Sequence, residues 1–207
     1  MRYELPNNKT MNLYSPYTKQ ELDKIGNAII YLAEKIPNLS KTKLLKLIFL
    51  IEETSIKKYG LPIFNLPFLV WKYGPVAKDI YVDLSDDGVL FDDYISTKQK
   101  RGNTFVSAKI GFSDDEFSDN EIKILGLVVE KFGNYTADEL VAHTHREHSL
   151  WYRTAKEHGV LEYLQDEKIN NTNIEIDLSR TLENDSFKKE IYLQHREFLN
   201  QSRSLKF

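Results

Sequence analysis

Cysteine is absent from this 207-residue chain, which removes disulfide staples, thiolate nucleophiles and Cys-ligated zinc together. Charge of one sign is also missing. The formal balance is only −3, so no overall basic field draws the molecule to a phosphate backbone, and nucleic acid is not the expected partner. Glycines do not cluster: Tyr59-Gly60-Leu61-Pro62 and Tyr73-Gly74-Pro75 carry one each, so there is no phosphate-cradling loop, and no serine sits in a nucleophile elbow. The apolar run Leu44 to Ile51 is far too short to cross a bilayer, and the start of the chain holds no signal-peptide core. A cytoplasmic protein with no membrane partner is expected.

What is present is a globular composition, 41% apolar and 29% charged, in a chain long enough to bury one real core. Residues 1–17 are polar, with Pro6 and Pro16, and read as an N-terminal arm. Thr18 and Glu21 form a capping-box pattern, after which Leu22, Ile25, Ile29, Leu32 and Ile36 recur at helical spacing. Ser40 caps a second helix from Lys41 to Tyr59, which Gly60 ends and Pro62 keeps from continuing. Its first half is apolar on nearly every side, the mark of a central helix, while Glu53 and Lys57 pair on a wet face.

From Ile63 to Tyr73 the pattern is extended, and Gly74-Pro75 reads as a helix start with Val76, Ile80, Tyr81 and Leu84 inward. Asp86-Asp87-Gly88 then closes that helix in a turn. Tyr94 to Ile110 is the best hairpin candidate, with a long turn region from Lys98 to Asn103. Ile122, Leu125, Val129 and Phe132 mark another helix, ended by Gly133, and Thr136 with Glu139 caps the next. A short helix near Tyr152 to His158 follows, then a piece at Leu161 and Leu164. Residues Glu167 to Asp177 form a polar loop or edge strand, and Asp185 to Ser202 a helix with Phe187, Ile191, Phe198 and Leu199 on its apolar side. The expected fold is mainly α (α+β), a compact helical domain over residues 18–165 with a small antiparallel hairpin mid-chain. Residues 166–207 add a polar connection and a C-terminal helix.

Catalytic signals are scarce. His143, His145 and His148 form the histidine cluster, but His143 and His145 point about 200° apart on a helix, whereas zinc pairs use i,i+4 spacing. His145 and His148 could share a face with Asp138 or Glu147, the basis for an alternative reading as a metal-dependent hydrolase. The plainer reading is a capping histidine among solvated ones. The carboxylate pairs Asp86-Asp87, Asp92-Asp93 and Asp114-Asp115 lie beside turns, where carboxylates are solvated. The basic residues Lys188, Lys189, Arg196, Arg203 and Lys206 alternate with Glu190 and Glu197, which cancels much of their field. A DNA-binding regulator has no helix-turn-helix signature behind it.

Trp71-Lys72-Tyr73 stands apart, because an aromatic pair flanking a cation can grip an anion or a partner's carboxylate. The competing reading packs Trp71 and Tyr73 on the central helix and leaves Lys72 outside.

Three blocks carry a resemblance. Lys43-Leu44-Leu45-Lys46-Leu47-Ile48-Phe49 is followed by Tyr59-Gly60 and Pro62, then Trp71-Lys72-Tyr73-Gly74-Pro75-Val76 with Tyr81, then Glu139-Leu140, Thr144-His145 and Trp151. In order and spacing these resemble the Panacea domain, the SocA-like antitoxin domain often described as phage-associated. The likeness covers roughly residues 23–164; it departs at Glu147-His148-Ser149-Leu150-Trp151, which has no proline before the tryptophan. The resemblance implies no enzyme activity, no cofactor and no metal. It implies an antitoxin that neutralises a cognate protein toxin by direct binding or, as an alternative, an adaptor delivering the toxin to a protease. Leu44, Leu45, Leu47, Trp71, Gly74, Pro75 and Trp151 then read as scaffold. Lys72, Tyr73, His145 and Arg146 are the expected partner-binding positions.

Overall fold

The computed structural model describes residues 16–85 and 88–204. Of the expected arm, only Pro16 and Tyr17 fall within that range; Asp86, Asp87 and Lys206 lie outside it. Helix α1, Lys19–Lys35, opens on the anticipated capping box: the Thr18 hydroxyl accepts from the Glu21 amide at 3.2 Å, and the Glu21 carboxylate accepts from the Thr18 amide at 2.7 Å. Helix α2, Lys41–Tyr59, is capped by the Ser40 hydroxyl and closed by Gly60 at φ 74°, a left-handed conformation that costs glycine little. Every residue from Leu44 to Ile51 is buried, Lys46 included. Contacts from α2 reach most of the other elements, so it is the axis of the core. Each of its buried leucines contributes roughly 1.5–3 kcal/mol of burial.

Two polar groups are embedded in that axis. Glu52 is wholly enclosed, and its Oε2 accepts from the amides of Ile63 and Phe64 at 2.7 and 2.9 Å, which ties the following loop to α2. Burial pushes the Glu52 carboxyl above its ordinary range, against the pull of those amides. The Lys46 ammonium donates to the Pro75 carbonyl at 2.8 Å.

Gly74-Pro75 does not begin a helix. Leu69–Trp71 (β1) and Gly74–Val76 (β2) pair as a hairpin with Trp71 opposite Gly74, and Lys72 and Tyr73 form its tip. Gly74 has φ 95°, outside helical space, and β2 is an edge strand, where the missing amide of Pro75 breaks no ladder. Helix α3, Lys78–Asp83, starts only after this turn. The second hairpin, Ile95–Lys100 (β3) with Asn103–Ala108 (β4), is tighter than the long turn region expected. Arg101 and Gly102 both have positive φ, 51° and 78°, matching the twist that a two-residue hairpin turn needs. Strand β4 packs against α1 and α2, and the Val106 amide donates to the Leu39 carbonyl.

Helix α4, Asp119–Phe132, carries a capping box at Ser118 and Glu121. It buries Ile124, Leu125, Val128 and Phe132, a face rotated slightly from the expected one. Helix α5, Ala137–His145, has the Thr136–Glu139 box; α6, Leu150–Glu157, and α7, Leu161–Gln165, follow. Residues 168–177 run alongside β1 as a strap, with amide bonds from Lys72 to Asn170, Val70 to Ile174 and Ile176 to Phe68. A 3-10 turn, Leu178–Leu182, leads to α8, Ser186–Ser204. On α8 the inward residue is Tyr192, whereas Phe187 and Phe198 are 72% and 65% exposed, contrary to expectation. The reason is polar anchoring: Lys188 reaches the Lys57 carbonyl and His195 the Asn65 side chain, which rotates the two phenylalanines outward.

Candidate partner-binding cleft

The β1–β2 hairpin is held from three sides. Gly74 lies so close to α2 and α5 that a Cβ there would stand 2.6 Å from Thr144 Oγ1 and 3.0 Å from Lys46 Cε. Behind β1, the indole Nε1 of Trp151 donates to the Trp71 carbonyl at 2.9 Å. The Trp71 indole in turn donates to the Thr172 carbonyl of the strap at 3.1 Å, and its ring meets Tyr81 edge-on at 4.9 Å. These contacts tie Trp71 to α6, to the strap and to α3. Contrary to the reading that packs Trp71 and Tyr73 on the central helix, Val70 is the buried residue and Tyr73 at the tip is 58% exposed.

Beside this tip is an open cleft of about 470 Å³, lined by Thr42, Leu45, Lys46, Trp71, Lys72, Tyr73, Val76, Tyr81, Glu167, Asn170 and Asn171. The Lys72 ammonium bridges its mouth, 2.8 Å from Glu167 and 4.8 Å from the Tyr73 ring centroid. The hydrogen bond that Lys72 donates to Glu167 raises the ammonium above its ordinary value, so Lys72 is charged at neutral pH. Lys46 forms the floor. Burial pulls it down to about 7, and among the described residues it makes no ion pair.

The two remaining predicted positions are not part of this cleft. His145 stacks on Trp151, ring centroids 3.7 Å apart and planes 11° from parallel, with its Nε2 enclosed and unpartnered. Burial first, and the Lys46 charge second, bring His145 down to about 4, so it is neutral at pH 7. Arg146 ends α5 in solvent with Nη1 2.9 Å from His143 Nε2, and its charge also opposes the upward shift of the Glu53 carboxyl.

The structure does not assemble the alternative metal site. His148 is exposed, the His145 ring is committed to Trp151, and no cluster of three His, Asp or Glu side chains suited to a metal occurs among the described residues. Two of the carboxylate pairs have structural roles: Asp92 pairs with Lys109, and Asp115 accepts from Ser113.

Sequence reasoning missed Lys46, Tyr81 and Glu167 as cleft residues. Lys46 carried a signal, a single cation inside the run Leu44 to Ile51. Glu167 carried none, because the strap that follows it in sequence brings it there.

Residues 44–152, more than half of the chain, match the family described as Antitoxin SocA-like, Panacea domain. The chain belongs to this family. The matched span holds most of the central helix, both hairpins and Trp151, so the Panacea domain here includes much of the scaffold under the cleft as well as Lys72 and Tyr73 at its mouth. Membership gives the chain an antitoxin role in general terms, with a toxin as partner. No helix of the described residues is long and apolar enough to cross a membrane. No curated protein and no solved structure matches the chain.

Proposed function

We propose that this Panacea-domain protein neutralises a cognate protein toxin in the cytoplasm by binding it directly, without catalysis, and that the toxin docks on the hairpin tip and its cleft. The observation that carries this reading is Tyr73, a large aromatic 58% exposed at the tip of a hairpin anchored from α2, α6 and the strap. An exposed aromatic on a rigid support loses little conformational freedom on binding, and aromatic anchors of this kind supply much of the energy of protein interfaces. Lys72 beside it adds charge and a cation for pairing. Arg146, exposed at the end of α5, is a second proposed contact; His145 supports the tip through Trp151 instead of touching the partner.

The test is co-expression with the product of the adjacent gene. Growth restored together with co-purification of both proteins supports neutralisation by binding. Restored growth with disappearance of the toxin would instead indicate delivery to a protease, and a toxin that still kills would refute the pairing.

A further inference from the structure

Lys72 is the cation that the cleft presents, while Lys46 at the floor is 1% exposed and donates to the Pro75 carbonyl. One carboxylate, Glu167, lines the cleft with them. The single ion pair is poorly insulated: the Lys72 side chain is only 15% exposed, but that of Glu167 is 70% exposed. An ion pair with one partner so wet is weakly held, because water solvates the carboxylate almost as well as the lysine does. Glu167 also sits at φ 59°, a left-handed conformation uncommon outside glycine and asparagine. Trp71, Tyr73 and Tyr81 line the same space.

Resting on the antitoxin reading, we infer that the cleft receives an acidic side chain of the bound toxin, whose carboxylate displaces Glu167 from Lys72 while a neighbouring apolar side chain packs against Trp71, Tyr73 and Tyr81. Glu167 is thus a built-in competitor that occupies the lysine until the partner arrives. The Lys72 cation, only 15% exposed, favours an acid over a base, and the aromatic side chains lining the space favour an acid with an apolar neighbour over a bare anion. The low cost of releasing the Glu167 carboxylate to water makes the exchange feasible.

This reading makes an unusual demand, that removing a charge at the interface should strengthen binding. With the adjacent-gene toxin, inactivated for expression, titration calorimetry on the full chain should show Glu167→Gln binding about 3- to 10-fold more tightly than wild type and Lys72→Met about 10-fold more weakly. In the Lys72→Met background, Glu167→Gln should change nothing, because its competitor role needs Lys72. Tighter binding by Glu167→Gln also guards against misfolding as an explanation, since a damaged fold does not gain affinity. Unchanged or weaker binding by Glu167→Gln, or additive effects in the double variant, would overturn the inference.

A second arm needs no toxin. The capped dipeptide acetyl-Glu-Phe-amide should shift the Trp71 indole resonance more strongly than acetyl-Gln-Phe-amide. Equal shifts would contradict the inference, and so would stronger binding of free 3-phenylpropionate, which would make the cleft a small-acid site. If no adjacent gene product is neutralised, the antitoxin reading fails while this arm still decides the chemistry of the cleft.

Discussion

Trp151 holds Trp71 by its backbone: the indole Nε1 of the first donates to the carbonyl of the second at 2.9 Å, across 80 residues of sequence. These are the only two tryptophans in the chain, and one bond between them fixes the base of the hairpin whose tip carries Lys72 and Tyr73. Trp151→Phe keeps the ring in its enclosed position and removes the donor. The expected loss is about 1–3 kcal/mol, the cost of a backbone carbonyl left without its partner, measured by urea unfolding. Toxin affinity should fall with it, because the tip loses its support.

Gly74 is a second support. Alanine there must adopt φ 95° and place a Cβ 2.6 Å from Thr144 Oγ1, so Gly74→Ala should cost about 2–4 kcal/mol. Gly102→Ala supplies the control. Its φ is 78°, but a Cβ would meet nothing within 4 Å, and the cost should be only about 1 kcal/mol. Comparing the two unfolding midpoints separates crowding from backbone preference.

Lys46 sets a pH dependence with a definite sign. Its folded value, about 7, lies below the unfolded value of 10.5, so between these limits the unfolded chain binds the extra proton and stability rises with pH. Below pH 7 the burial penalty is present in full, roughly 3 to 5 kcal/mol. His145, which feels the Lys46 charge, is neutral throughout that window. Unfolding free energy of wild type minus that of Lys46→Met should therefore climb between pH 7 and 10; a flat difference would show that Lys46 is not desolvated.

The histidines contribute to the acid limb. His145 is depressed to about 4 from 6.5 by burial and by Lys46, so below pH 6.5 the unfolded chain takes up a proton that the folded one refuses. Stability should fall from pH 6.5 towards 4, and His145→Asn should flatten part of that fall. The lowered values of His143 and His195 leave a residual slope, which the raised carboxyls of Glu52 and Glu53 oppose.

Much of the helical frame was legible because its signals are local. Thr18 with Glu21, Thr136 with Glu139 and Ser40 before the Leu44 run each state a helix start in adjacent residues, and the structure has all three. Gly74-Pro75 misled because the same dipeptide serves a helix start or an edge strand; the choice was made by Lys46, 29 residues earlier, which takes the Pro75 carbonyl. Phe187 and Phe198 misled for a related reason: a helical wheel marks an apolar stripe, while Lys188 and His195 decide which side docks. Of the cleft, Lys72 and Tyr73 were visible in the hexapeptide. Glu167 is placed by the strap that follows it, whose path depends on backbone bonds to β1 that no sequence period announces.

The central claim is that the hairpin tip binds the toxin and does not stabilise the fold. The most direct measurement is calorimetric affinity for the neutralised toxin, made on the double variant Lys72→Glu with Tyr73→Ala alongside its melting temperature. An unchanged melting temperature with affinity reduced about 100-fold is the predicted result, since both the aromatic anchor and the cation are removed from an exposed tip. Equal affinity at equal melting temperature would contradict the account and move the binding surface elsewhere on the domain.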